Sequence, residues 1–332
     1  MTEKRTPDHY NAAFKEGAAI KQEREVVIHE SASKKQKKWL PIAVIMVLVL
    51  LIGGMFVFNT LQTATEPIPE YIMFHQGVLL STSLTILDLS NMNLTSEDIV
   101  PLRYMTNLTN LDLWGNQIDD LTSLSGLTNL TILSLGSNQI KDLTPLSDLT
   151  GLTILFLGNN QINNVTPISG LTNLERLALW ENQINDVTPL SDLTNLTELN
   201  LIDNQISDVS PLSGLTNLES LRLEGNQISD LGPLSDLTNL MGLHLGTNQI
   251  SDLSPLSGLR NLRLLILWDN QVSDLTPLSG LTNLTWLNLH NNPVSDLTPL
   301  SGLTNLKRLY LGVNQISDWS SVEHVPDVCG RP

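Results

Sequence analysis

Six histidines and one cysteine are all that this 332-residue chain offers for soft metal ligation or thiol chemistry, and they are scattered. No hydroxyl or thiol stands in a nucleophile–base arrangement, no glycine-rich loop could cradle phosphate, and no Cys/His spacing fits a metal. His244 and His290 come nearest, but the repeat places them two strands apart, about 9–10 Å, too far to share an ion. Aspartates recur at 120, 142, 186, 208, 230, 252, 274, 296 and 318. A calcium row would need second and third oxygen ligands in every unit, and none supplies them. These carboxylates are therefore read as acceptors for turn N–H groups. The chain reads as non-catalytic, with no cofactor and no resident metal.

What remains is recognition chemistry. Trp114, Trp180, Trp268 and Trp286, four of the six tryptophans, fall at the outward-facing positions of a repeated segment. The template is L-x-x-L-x-L-x-x-N-x-I/L/V. It begins at Leu84, then at Leu108, and every 22 residues from there to Leu306, giving eleven units. Such a period specifies a solenoid in which each unit is one strand and one return segment, stable only when stacked on its neighbours. The fold expected is a leucine-rich repeat solenoid of the α/β horseshoe type. Eleven short parallel strands line its concave face, and 3₁₀ turns its convex face.

Within a unit the strand's period of two sends the fourth and sixth residues inward and the third, fifth and seventh outward. Ile184, Val187, Leu190 and Leu193 illustrate the return-segment contribution to the core. Ile99, Pro101, Leu102 and Met105 do the same in the first unit, and Trp319, Val322 and Val325 in the last. The ninth position is asparagine in ten units: Asn116, Asn138, Asn160, Asn182, Asn204, Asn226, Asn248, Asn270, Asn292 and Asn314. An amide has donors and an acceptor, so a buried column of them is expected to satisfy turn backbone between adjacent coils. Eight prolines, from Pro145 to Pro299, each follow Ser, Thr or Gly. That pair reads as the N-cap and first position of a short helical turn.

The outward positions carry what differs between units. Trp114, Ile132, Ile154, Phe156 and Trp180 form one apolar group, with Gly136 and Gly158 leaving a notch between the tryptophans. Leu264, Ile266, Trp268, Trp286 and Tyr310 form a second. Between them runs a charged band that includes Arg176, Glu181, Glu198, Asp203, Arg222 and Glu224. Exposed aromatics with arginine beside them are the make-up of a protein-binding surface.

Charge divides the chain. Residues 1–38 hold nine Lys/Arg against six Asp/Glu; with −16 on the whole chain, the remainder carries −19, which disfavours nucleic acid. Residues 39–58, "WLPIAVIMVLVLLIGGMFVF", are free of charge and long enough for one helix to cross a bilayer. Lys34, Lys35, Lys37 and Lys38 stand before that stretch and the next charge after it is Glu66, so the N-terminus is expected in the cytoplasm and the repeats outside. The organisation expected is a cytoplasmic tail (1–38), a transmembrane helix (39–58), a linker and N-terminal cap (59–83), repeats (84–325) and a short tail (326–332). Cys329 has no intrachain partner.

The pattern LTNLTxLxLxxNQIxDLTPLSxLTN, followed at 127–151 except for Gly151 and at 281–305 except for Pro293-Val294, resembles the internalin type of leucine-rich repeat. That resemblance spans residues 84–325. It implies a bacterial surface protein whose concave face binds a receptor in adhesion or recognition. Two features depart from it: no immunoglobulin-like segment or LPXTG-type sorting signal follows the repeats, and an N-terminal anchor takes their place. The partner expected is a protein or peptide at the concave face. A cell-envelope glycan, or an enzyme that the chain regulates without catalysis, are the other readings.

Overall fold

The computed structural model describes residues 69–331, which fall in one compact unit, 67–332. The expected tail 1–38, the transmembrane stretch 39–58 and linker residues 59–68 lie outside the described residues. Among those described, no helix is long and apolar enough to cross a membrane.

Two antiparallel strands open the unit, β1 (Tyr71–Met73) and β2 (Leu79–Ser81). They form the cap at one end, burying Ile72, Phe74 and Leu80 against the first coil. His75 Nδ1 stands 2.7 Å from Asp98 Oδ1, pinning the hairpin to that coil. The Asp98 carboxyl is held down at about 2 by the Thr95 backbone N–H, the His75 ring and the Thr95 hydroxyl. Parallel strands of three residues follow, one per coil, from β3 (Ile86–Asp88) to β13 (Arg308–Tyr310), stacked in sequence order. The register is uniform: Ile154, Leu155 and Phe156 pair with Arg176, Leu177 and Ala178, and so on along the sheet.

The sheet has twelve strands, not the eleven expected, because β14 (Asp327–Cys329) pairs with β13. The "DVCGRP" segment is thus a closing strand and not a mere tail. Its backbone accepts the Leu311 N–H, and Arg331 closes the end by lying 5.7 Å over the Trp319 ring.

The repeat's leucines account for the core. Leu177 and Leu179 of the fifth coil are buried on the inward side of the strand, as are Ile184, Val187, Leu190 and Leu193 of its return segment. Ile99, Leu102 and Met105 serve the first coil, and Val322 and Val325 the last; Pro101 and Trp319 are half-buried. Return segments contain the expected 3₁₀ turns, such as Thr144–Leu146 and Thr188–Leu190.

The capping of those turns differs from expectation. Thr144 is the first residue of its turn and Pro145 the second, while the N-cap is Leu143, whose side chain cannot accept a hydrogen bond. The acceptor comes from one residue earlier. Asp142 takes the Thr144 N–H at 2.8 Å and its hydroxyl at 2.6 Å, and Asp186, Asp208, Asp252, Asp274, Asp296 and Asp318 repeat the backbone bond. Hydrogen bonds from the following Ser or Thr hydroxyl and N–H hold the carboxyls in this row below the usual range. In the fourth coil Asn164 does the same work without a charge.

Each ladder asparagine spans two coils. Asn204 Oδ1 accepts the Ile184 N–H at 3.0 Å, while its Nδ2 donates to Leu179 O at 3.0 Å and Leu201 O at 3.1 Å. The same three partners recur at Asn138, Asn226 and Asn292. A left-handed residue just before the asparagine, such as Ser137 or Asp203, swings the chain out of the strand and turns the amide inward. A second column stands at the opposite strand end, where the asparagine of each "TN" donates to the coil before it, as Asn195 does to Thr172 O and Asn217 to Thr194 O, both at 2.9 Å.

The two columns should respond differently. Asn204→Ala leaves buried N–H and C=O groups without partners and is expected to cost about 1–3 kcal/mol, whereas Asn217→Ala, at an exposed site, should cost about 1 kcal/mol or less. Urea unfolding of both variants checks this, and equal midpoints would refute the buried staple.

Candidate ligand-binding face

The outward side of the sheet is built by positions three, five and seven of each strand and the left-handed eighth. These positions are free to vary because the inward ones carry the core. The residues expected to bind ligand all lie on this face, but they are not equally available.

The notch expected at Gly136 and Gly158 is filled. Trp114, in the second coil, lies over Gly136, and Trp180, in the fifth, leans back over Gly158; a Cβ on either glycine would overlap the indole. The two rings meet above the glycines with centroids 6.0 Å apart and planes inclined by 34°. Trp114 and Phe156 are each only 7% exposed, whereas Trp180, Ile132 and Ile154 stay half-exposed. The expected gap is thus a roofed apolar platform. Its rings are held by contact with backbone, at little further entropic cost on binding.

The same device recurs. Trp268 lies across Gly246 of the preceding coil, and His290 sits against Gly312 of the next. In the second apolar group, Trp286 and Tyr310 have centroids 6.1 Å apart, and the Arg308 guanidinium lies 5.3 Å over the Trp286 ring. Leu264, Trp268, Trp286 and Tyr310 are half-exposed, while Ile266 is buried beneath them.

The charged band is less open than its sequence positions suggest. Arg176 and Glu198 pair at 3.4 Å and stay accessible, and Arg222 is half-exposed. Glu224, expected to be exposed, is buried, with Oε1 3.1 Å from His244 Nδ1. Its burial follows from register: the neighbouring coil puts Gly246 beside it, and the Trp268 ring lies across that glycine. His244 thus meets a carboxylate of the adjacent coil and not His290. Among the described residues no group of histidine, cysteine and carboxylate side chains could hold a metal ion.

One member of this face is not singled out by the repeat pattern. Asp112 is buried beside Trp114, accepting that residue's N–H at 2.9 Å. Burial pushes its carboxyl above the usual range, against the opposing hydrogen bonds from Trp114 and Ser134. A carboxylate at an outward position beside tryptophan is the signal that marks it.

Gly158→Ala tests the roof. The new methyl must displace the Trp180 indole, which should weaken the near-UV circular dichroism of the tryptophan pair and cost about 1–3 kcal/mol. The far-UV spectrum should not change. An unaltered near-UV spectrum would mean that the rings do not rest on the glycines.

Comparison with known proteins agrees with this geometry. A family model described as leucine-rich repeats in two copies matches residues 82–126, 128–171, 172–214, 216–258, 260–302 and 282–324. Similar solved structures include an internalin (inlF) of Listeria monocytogenes, 35% identical with TM-score 0.64, over 72% of this chain and 78% of that one. Internalin C2 (inlC2) of the same organism is 39% identical with TM-score 0.50, over 64% and 85%. The repeat ectodomain of the Arabidopsis thaliana receptor kinase GASSHO1/SCHENGEN3, solved with CASPARIAN STRIP INTEGRITY FACTOR 2, is 26% identical with TM-score 0.64, over 74% and 32%. No curated protein matches the chain by sequence. With the repeat model covering residues 82–324 almost without a break, and with a sheet, an asparagine ladder and 3₁₀ turns of that design, the chain belongs to the leucine-rich repeat family.

Proposed function

We propose that this chain is a membrane-anchored recognition protein that binds a protein or peptide on the outward face of its sheet, without chemistry of its own. The observation that carries the reading is the placement of rigid aromatics. Two platforms, Trp114 with Trp180 and Trp286 with Tyr310 and Arg308, stand at outward positions of a sheet whose inward positions are almost all leucine. Tryptophan, tyrosine and arginine in a preorganised setting are the residues that dominate interface energies. The Arabidopsis relative was solved with a bound factor, and the Listeria relatives are internalins; both support a recognition role.

In this reading residues 39–58 cross the membrane, residues 1–38 face the cytoplasm and the repeats face outward. The charge asymmetry about residues 39–58 supports that orientation. Cys329, exposed on the closing strand, is the natural reporter. An impermeant maleimide should label it on intact cells, and labelling only after lysis would place the repeats inside and favour the regulatory-subunit reading.

Flat rings resting on glycine could also stack on sugars, and one experiment separates the two ligands. Residues 67–332, which include both end caps, are immobilised beside a Trp180→Glu/Trp268→Glu version. Capture of a protein by the first and not by the second is the expected result. Equal capture would sink the role of this face, and retention of purified wall polymer alone would favour a glycan.

A further inference from the structure

The middle of the same face indicates what kind of partner it takes, given the recognition role just proposed. Across the outward positions of the eleven repeat strands, carboxylates outnumber arginines seven to three. Two of those arginines are already engaged, Arg176 with Glu198 at 3.4 Å, and Arg308 with Asp327 at 3.9 Å. On the fifth, sixth and seventh coils four carboxylates, Glu181, Glu198, Asp203 and Glu224, stand against Arg176 and Arg222.

Glu224 is the unusual member. It is 7% exposed although its position points outward. One oxygen faces the His244 ring at 3.1 Å, while Oε2 is shut off from solvent and has no hydrogen-bond partner. The Asp203 carboxylate lies against Gly225, the residue after Glu224, and the Trp268 indole lies across Gly246 in the next coil. A buried carboxylate oxygen without a donor is costly, and a cationic donor supplied from outside recovers that cost. The setting also suits a long basic side chain, which binds through an aliphatic stem on an aromatic face and a charged tip on carboxylates.

We propose that Glu224 anchors a lysine or arginine side chain of the protein partner, with Asp203 sharing its charge and Trp268 receiving its stem. Oε2 lies below the surface, so the cation reaches it as the side chains above it part. The partner is then a protein whose docking segment is basic, matched to the acidic face by charge as well as by apolar contact.

Selection of a random-peptide display library on the full-length chain in detergent tests this. Peptides recovered on the native chain should be enriched in Lys and Arg over the starting library. Their affinity should fall roughly tenfold or more for Glu224→Gln, should fall for Asp203→Asn, and should not change for Asp252→Asn, a carboxylate of the turn-capping row. Matching melting curves establish that the variants are folded. Recovered peptides without basic enrichment, or ones that Glu224→Gln binds as well as the native chain, overturn the anchor. If such peptides still depend on Trp180 and Trp268, the recognition role stands while the anchor falls. If no peptide prefers the native chain to the Trp180→Glu/Trp268→Glu version, both fall.

Discussion

Everything in this molecule depends on how a chain leaves a strand buried between two others. At the strand's end the backbone loses its ladder partners while still covered by neighbouring coils, and each orphaned N–H or C=O group there would cost about 1–3 kcal/mol, a loss repeated in every coil. A side-chain amide at the ninth position solves this, because it donates to carbonyls of its own coil and the one before while accepting an N–H from that same coil. The bond partners lie in adjacent units, so no unit is complete alone. Cooperativity is therefore built into the hydrogen bonding as well as into the stacking of leucines.

That solution leaves the outward positions unconstrained by folding, which is why function can be written there. The freedom is not total. Each large ring lies across a neighbouring coil, so a tryptophan in one unit requires a glycine at the matching place in the next or the previous one, as Trp114 and Gly136 or Trp268 and Gly246 do. Where the neighbour is not glycine, the ring packs differently: Trp286, at a third position, leans on Tyr310 and Arg308.

The scaffold was legible from residues 84 to 325 because its constraints are strictly local and repeat every 22 positions. Leucine spacing gave the strands and the asparagines gave the ladder. The end of the array was harder to read, since Asp327–Cys329 has no leucine template and becomes a strand only because β13 offers it an unpaired edge. The turn caps were read one step out of place: proline suggested that Ser or Thr caps the turn, while the aspartate two residues earlier holds that Ser or Thr. On the outward face, sequence placed the residues but not their exposure. Glu224 and Phe156 alternate with the core and should point to water, yet neighbouring side chains fold down over them. Period-two logic gives direction, not the reach of a side chain from another coil. The second asparagine column went unread because its "TN" looks like ordinary turn composition, and only stacking shows the carbonyl it meets.

The tryptophan pair has a consequence for how such an array can change length. Trp114 and Trp180 touch across two intervening coils, each contributing one glycine to the floor. Removing either coil by recombination between near-identical repeats would preserve every leucine, every ladder amide and every turn, and the solenoid would still close. It would nevertheless drive two indoles into the space of one glycine. The repeats are interchangeable as structural parts but are numbered as surface parts, and the aromatic bridge is the feature that keeps count.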